Sequence, residues 1–224
     1  MLLMVLNGNF TWYSLLSSLF ASLILIFLVS PIHELAHGFA AIKLGDNTPR
    51  YQGRMTLNPM AHIDFMGALM IILFGFGWAR PVQVNMHNFR NPKRDMALTA
   101  LAGPLSNFLV AFLVGIFSYP VLNLATKTEN MLPTILFYVM QYLVIFNLYI
   151  GLFNLIPIAP LDGSRILSAI LPNRYYYTIM RLERYSFLII VLLFYVFNVG
   201  AGLSNIAYSI FGGIFRLSAL IFGG

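Results

Sequence analysis

Cysteine is absent from this 224-residue chain, so neither disulfides nor thiolate metal ligands are available, and the sequence carries no mark of its redox compartment. Charge is nearly as scarce. Asp, Glu, Lys and Arg make up 9% of the residues against 59% hydrophobic ones, and a water-soluble globule of this length would be unable to hide so much apolar surface. The composition reads as an integral membrane protein. Internal repeats, heptads and low-complexity tracts are also missing, and no polar stretch is long enough for a separate soluble unit, so residues 1–224 read as a single membrane domain. The net charge of +6 does not point to nucleic acid, because the basic residues sit in short connectors between apolar segments and form no face interleaved with aromatics. The first 11 residues contain no Lys or Arg and no small-residue cleavage site precedes residue 33, so the apolar N-terminal stretch reads as a retained membrane helix.

Histidine occurs four times, and two of the four fall in Ser30-Pro31-Ile32-His33-Glu34-Leu35-Ala36-His37-Gly38, directly after an apolar run long enough to enter a bilayer. With no thiolate to draw on, any metal must be held by His and carboxylate. On a helix His33 and His37 lie one turn apart on one face, so both imidazoles can reach one ion while Glu34 stays close enough to act on its water. Pro31 removes an amide donor and leaves the carbonyl of Phe27 unpaired, which predicts a bent helix just before the motif and a polar or water-accessible neighbourhood there. His62 and His87 fall in polar connectors and read as ordinary loop residues.

The hydropathy pattern predicts a long helix over about 11–44, with Gly45 as its stop, and further spans at about 96–119, 132–156, 185–199 and 203–222. Residues 65–78 are apolar, yet as a helix they reach only roughly 21 Å against a hydrocarbon core of roughly 30 Å, so they read as a re-entrant element. Met55–Leu57 and residues 79–85 are strand-like, with Pro81 at an edge position. The fold class expected is thus an all-α polytopic membrane protein of about five spanning helices, with a re-entrant segment and short membrane-associated β-strands. Arg165, Arg174, Arg181 and Arg184 cluster after the third span, which puts 45–95 and 157–184 in the cytoplasm and the N-terminus outside. The Tyr175–Tyr177 run with these arginines reads as an interfacial belt.

A catalytic zinc usually takes three protein ligands and a water, so a carboxylate is needed. Asp46, Asp64 and Asp95 lie in polar connectors where a solvated carboxylate is expected, and Glu129 and Glu183 lie at helix ends. Asp162 follows a span inside Asn154-Leu155-Ile156-Pro157-Ile158-Ala159-Pro160-Leu161-Asp162-Gly163, where paired prolines break the helix and let backbone groups line a cavity, so it is the favoured ligand. Ligation by His33, His37 and Asp162 requires all three at one depth, which in turn requires that residues 65–78 do not cross.

These residues carry a resemblance. H-E-x-x-H at His33, Glu34 and His37, N-x-x-P-x-x-x-L-D-G at Asn154, Pro157, Leu161, Asp162 and Gly163, and Ala102-Gly103-Pro104-Leu105-Ser106-Asn107 between them resemble the site-2 protease family of intramembrane zinc metalloproteases over roughly residues 12–170, in its compact form without a PDZ or CBS domain. The resemblance implies one Zn²⁺ per chain held by His33, His37 and Asp162, and Glu34 as general acid/base. It implies Asn154 as an oxyanion or substrate-backbone contact, and Asn107 as a weaker candidate for substrate binding. The substrate implied is a transmembrane segment of another protein, cut in a multi-pass cell-membrane enzyme whose site faces the cytoplasm, with lipid and no nucleic acid as partners. The alternative is a non-proteolytic membrane protein that binds or transports through the same His/Asp site, although the repeated halves typical of transporters are not visible.

Overall fold

In the computed structural model, the structure describes residues 11–74, 77–128, 130–172 and 183–223. Glu129, Arg174, Arg181, the Tyr175–Tyr177 run and residues 1–10 lie outside them.

Thr11 opens the first helix. Its hydroxyl accepts from the Ser14 N–H and the Ser14 hydroxyl accepts from the Thr11 N–H, a reciprocal cap that satisfies two otherwise unpaired donors. From there α1 (Trp12–Ile24) passes through a π segment (Leu25–Val29) into α2 (Ser30–Lys43). The π segment contains Phe27, the residue whose carbonyl Pro31 cannot bond, so the irregularity falls where the missing donor predicts it. Gly45 ends the run at φ +114°, a conformation that favours glycine, as its reading as a stop requires.

Among the described residues, four helices are long and apolar enough to cross a membrane: Trp12–Lys43, Pro92–Lys127, Met131–Asn154 and Val199–Phe222. The second comprises α4 (Pro92–Gly115) and α5 (Ser118–Lys127), the third is α6 (Met131–Asn154). The expected span at 185–199 is not among them. There α8 (Ser186–Tyr195) runs for 10 residues, about 15 Å, and Asn198 takes a left-handed conformation that breaks the helix before α9 (Val199–Phe222) begins. Leucines and phenylalanines of α4 such as Leu105, Leu109 and Leu113 stay exposed, which suits a lipid-facing surface better than a wet one.

Serines let α1 and α6 approach closely. Ser17, Ser18 and Ser22 are buried; the latter two bond back into their own helix, and Ser17 donates to the Ile135 carbonyl at the start of α6. Ala21, Leu25, Ile26, Val29 and Leu143 form the core between these helices, joined by Ile71 from α3 (Phe65–Phe74). A second cluster of Ala111, Val144, Ile145, Leu148, Ala207 and Phe211 seats α9 against α4 and α6.

Between α2 and α4 the chain turns back on itself. Ile63 and Ala79 make an isolated antiparallel bridge and the Arg80 N–H donates to the His62 carbonyl, so the chain before α3 and the chain after it meet. Among the described residues no strand forms, at 55–57 or at 79–85. The extended stretch at 80–85 meets no partner strand, and two of its amides bond carboxylate side chains in place of a ladder.

Candidate metal centre

The paired contacts fix the directions of the three helices that build the site. His33 bonds Asn107 and His37, four residues on, bonds Thr99, eight residues back, so α4 runs antiparallel to α2. The Ser17 contact to Ile135 near the two helix starts, and Asp162 meeting both histidines after α6 ends, make α1/α2 and α6 parallel. His33, His37 and Asp162 therefore reach a common depth, as their joint ligation requires.

Asp162 opens α7 (Asp162–Ile170), which places its charge at the positive end of the helix dipole. The turn leading to it is held by hydrogen bonds from Leu161 N–H to Ile158 and from Ser164 N–H and hydroxyl to Leu161. Its Oδ2 lies 3.5 Å from His33 Nε2 and 3.3 Å from His37 Nε2, and the two Nε2 atoms are 3.1 Å apart. The rings meet edge to face with centroids 4.7 Å apart.

Which nitrogens carry protons follows from the far side of each ring. His37 Nδ1 lies 2.8 Å from the Thr99 carbonyl, which only accepts, so Nδ1 is the donor. His33 Nδ1 lies 2.9 Å from Asn107 Oδ1 and donates likewise. With both rings neutral, the two Nε2 atoms present lone pairs to each other and to a carboxylate oxygen, three acceptors that a shared cation would join. Tetrahedral zinc with bonds of about 2.0–2.1 Å separates its ligand atoms by about 3.3–3.4 Å, which the observed 3.1, 3.3 and 3.5 Å bracket. Among the described residues, these three form the group of His and carboxylate suited to a metal ion.

Asn107 is thus seated behind a ligand, almost fully buried. Thr99, Gly103 and Asn107 recur at a spacing of four and line one stripe of α4 as a carbonyl, a gap and an amide. The gap is obligatory: a Cβ at Gly103 would fall 2.7 Å from His33 Cε1 and closer still to His37 Nε2. Thr99 escapes sequence reading because it serves through its backbone, yet its place eight residues, two turns, before Asn107 was a signal for it.

Glu34 is buried and its Oε2 accepts the Val82 N–H at 2.7 Å. Asn154 closes α6, half-buried, and its amide makes no hydrogen bond to a described residue. The other carboxylates have structural posts. Asp64 caps α3 through the Gly67 N–H, and Asp95 reaches back to the Asn91 N–H at the start of α4. Asp46 corrects the expectation of a solvated carboxylate: it is fully buried and accepts from the Thr48 N–H and hydroxyl, the Asn88 amide and the Asn85 N–H. Burial pushes its carboxyl up, but these bonds outweigh that and hold it below the ordinary Asp value. His62 corrects its reading too. It is fully buried, donating from Nε2 to the Thr56 carbonyl, while His87 is exposed as expected.

The family model described as peptidase family M50 matches residues 120–198, which include Asp162. YwhC of Bacillus subtilis (strain 168), named as a zinc metalloprotease, is 38% identical over 192 residues, 83% of this chain and 84% of its own length. The zinc metalloprotease MJ0392 of Methanocaldococcus jannaschii is 30% identical over 175 residues, 78% of this chain and 39% of that longer relative. No solved structure matches.

Proposed function

The chain belongs to peptidase family M50, and from that premise we propose that it is an intramembrane zinc metalloprotease, hydrolysing peptide bonds within or next to transmembrane helices of membrane-protein substrates. The observation that carries the reading is the convergence of His33 Nε2, His37 Nε2 and Asp162 Oδ2 at separations that suit one zinc ion. Bound zinc would supply Lewis-acid polarisation of the scissile carbonyl and lower the pKa of bound water toward about 7.

The chain's own residues do the rest. Asn107 and the Thr99 carbonyl hold the two imidazoles in the tautomer that turns both lone pairs inward, and Gly103 leaves them room. Glu34 takes the proton of the attacking water and returns it to the leaving amine. Asn154, whose amide is uncommitted, donates to the developing oxyanion or to the substrate backbone. A substrate helix hides its carbonyls in its own hydrogen bonds, so it must unwind before it is cut, and the extended edge around Gln83 and Val84 offers a strand for it to pair with. Purified protein in liposomes should cleave a transmembrane peptide that Glu34→Gln, still zinc-loaded, cleaves at least about 100-fold more slowly. Equal cleavage by the variant would refute the assignment.

The fold-back of residues 63–79 supports a re-entrant segment, and the arginines after α6 support a site facing the cytoplasm of a cell membrane. Because the chain lacks cysteine, single cysteines at His87 and Asn123 report orientation cleanly. Residue 87 should label from the cytoplasmic side and residue 123 from outside; the reverse pattern would invert the topology.

A further inference from the structure

Residues 80–88 form a strap across the histidine helix. Its ends are pegged by the buried side chains of Val82 and Phe89, and its backbone is held by two carboxylates from the same stretch of chain. Glu34, in the middle of α2, accepts the Val82 N–H at 2.7 Å, and Asp46, three residues beyond the helix, accepts the Asn85 N–H at 2.7 Å. The Asn88 amide adds a second tie from the strap to Asp46, and Thr48 N–H and hydroxyl donate to the same carboxylate from the turn beyond α2.

A buried glutamate with three rotatable bonds is a poor base unless something fixes it, because an unpaired charge turns toward any available donor. Here one oxygen is fixed by a backbone donor that no replacement of Val82 other than proline removes. Oε1 is left as the oxygen of Glu34 without a hydrogen bond from a described residue.

We propose that the 80–88 strap is the positioning element of the general base: the Val82 N–H holds Glu34 Oε2 so that Oε1 is presented for proton transfer, and Asp46 is a positioning residue that docks the strap. The inference rests on Glu34 being the base, as put forward above. It separates two jobs along one extended segment. The Val82 N–H points inward and serves the base, whereas the exposed Gln83, one residue on and on the opposite edge of an extended backbone, serves the substrate. A hydrogen bond to a charged acceptor is among the stronger ones in a folded chain, and its loss should be legible in the exchange of that single amide.

The first test needs no substrate. Amide hydrogen exchange on the full chain in detergent should show Val82 exchanging about tenfold or more faster in Glu34→Ala, with Asn85 little changed, and both amides faster in Asp46→Ala. An unchanged Val82 rate in Glu34→Ala would overturn the proposal. The second test uses a quenched-fluorescent transmembrane peptide. Val82→Pro, which deletes the donor, should lower kcat about tenfold or more at unchanged KM and zinc content, while Gln83→Pro should act on KM. A Val82→Pro variant whose defect lies in KM alone would assign the residue to substrate binding and overturn it as well. Failure of the protease reading has a different signature: a wild type that holds zinc and cleaves nothing, with the exchange pattern intact.

Discussion

Asp46 and Asp162 both follow helices that build the site, and both are withdrawn from solvent, yet their surroundings are opposite in kind. Around Asp46 every neighbour is a donor: two backbone amides, a hydroxyl and a carboxamide converge on its oxygens and satisfy the charge from within the chain. Around Asp162 the nearest polar atoms are two imidazole nitrogens whose protons are committed elsewhere. Burial alone does not tell a structural carboxylate from a functional one. What separates them is whether the fold has supplied the donors, and where it has left them out it has left a place for a cation.

The sharpest way to break this comparison is to disturb the acceptors at the Asp162 corner without touching a ligand. Gly103→Ala puts a methyl where the imidazoles stand, and should lower zinc affinity by about 100-fold or more. Asn107→Ala removes the acceptor that fixes the His33 tautomer and should lower it by about 10- to 100-fold. Zinc titration against a competing chelator measures both, and wild-type affinity in either would mean that α4 does not orient the ligands.

A smaller effect is expected at the donor-rich corner. The bonds to Asp46 favour its ionised form in the folded state, so its contribution to stability is present above the ordinary Asp value of about 3.9 and is lost as pH falls below it toward the depressed folded value. The thermal midpoint of Asp46→Asn should therefore lie below that of wild type at pH 7 with zinc content unchanged, and the gap should narrow below about pH 4. A gap that widens on acidification would reverse the sign.

How much of this was open to sequence reading depends on what each residue does with its side chain. His33, Glu34, His37 and Asp162 were legible because helical spacing and proline-broken helices constrain where those groups can point. The bend at Pro31 and the stop at Gly45 were legible because backbone chemistry admits little else at those positions. Asp46 and Asp95 were misjudged as solvated, since a polar connector gives no sign of being folded inward against the bundle. The strands were misjudged for a related reason: alternation and Pro81 fix an extended backbone, but not whether its amides meet another strand or a carboxylate. The run after residue 185 looked like two spans because hydropathy averages over Asn198, where one backbone conformation divides it.

Zinc stoichiometry in detergent-purified wild type and Asp162→Ala tests the central claim most directly, since it asks whether His37 and Asp162, 125 residues apart in the sequence, share one metal site. The account predicts about one zinc per chain in the wild type and its loss, or a sharp fall in affinity, in the folded variant. Well-folded wild type that takes up no zinc when it is supplied, or an Asp162→Ala variant that holds it as tightly, would contradict it.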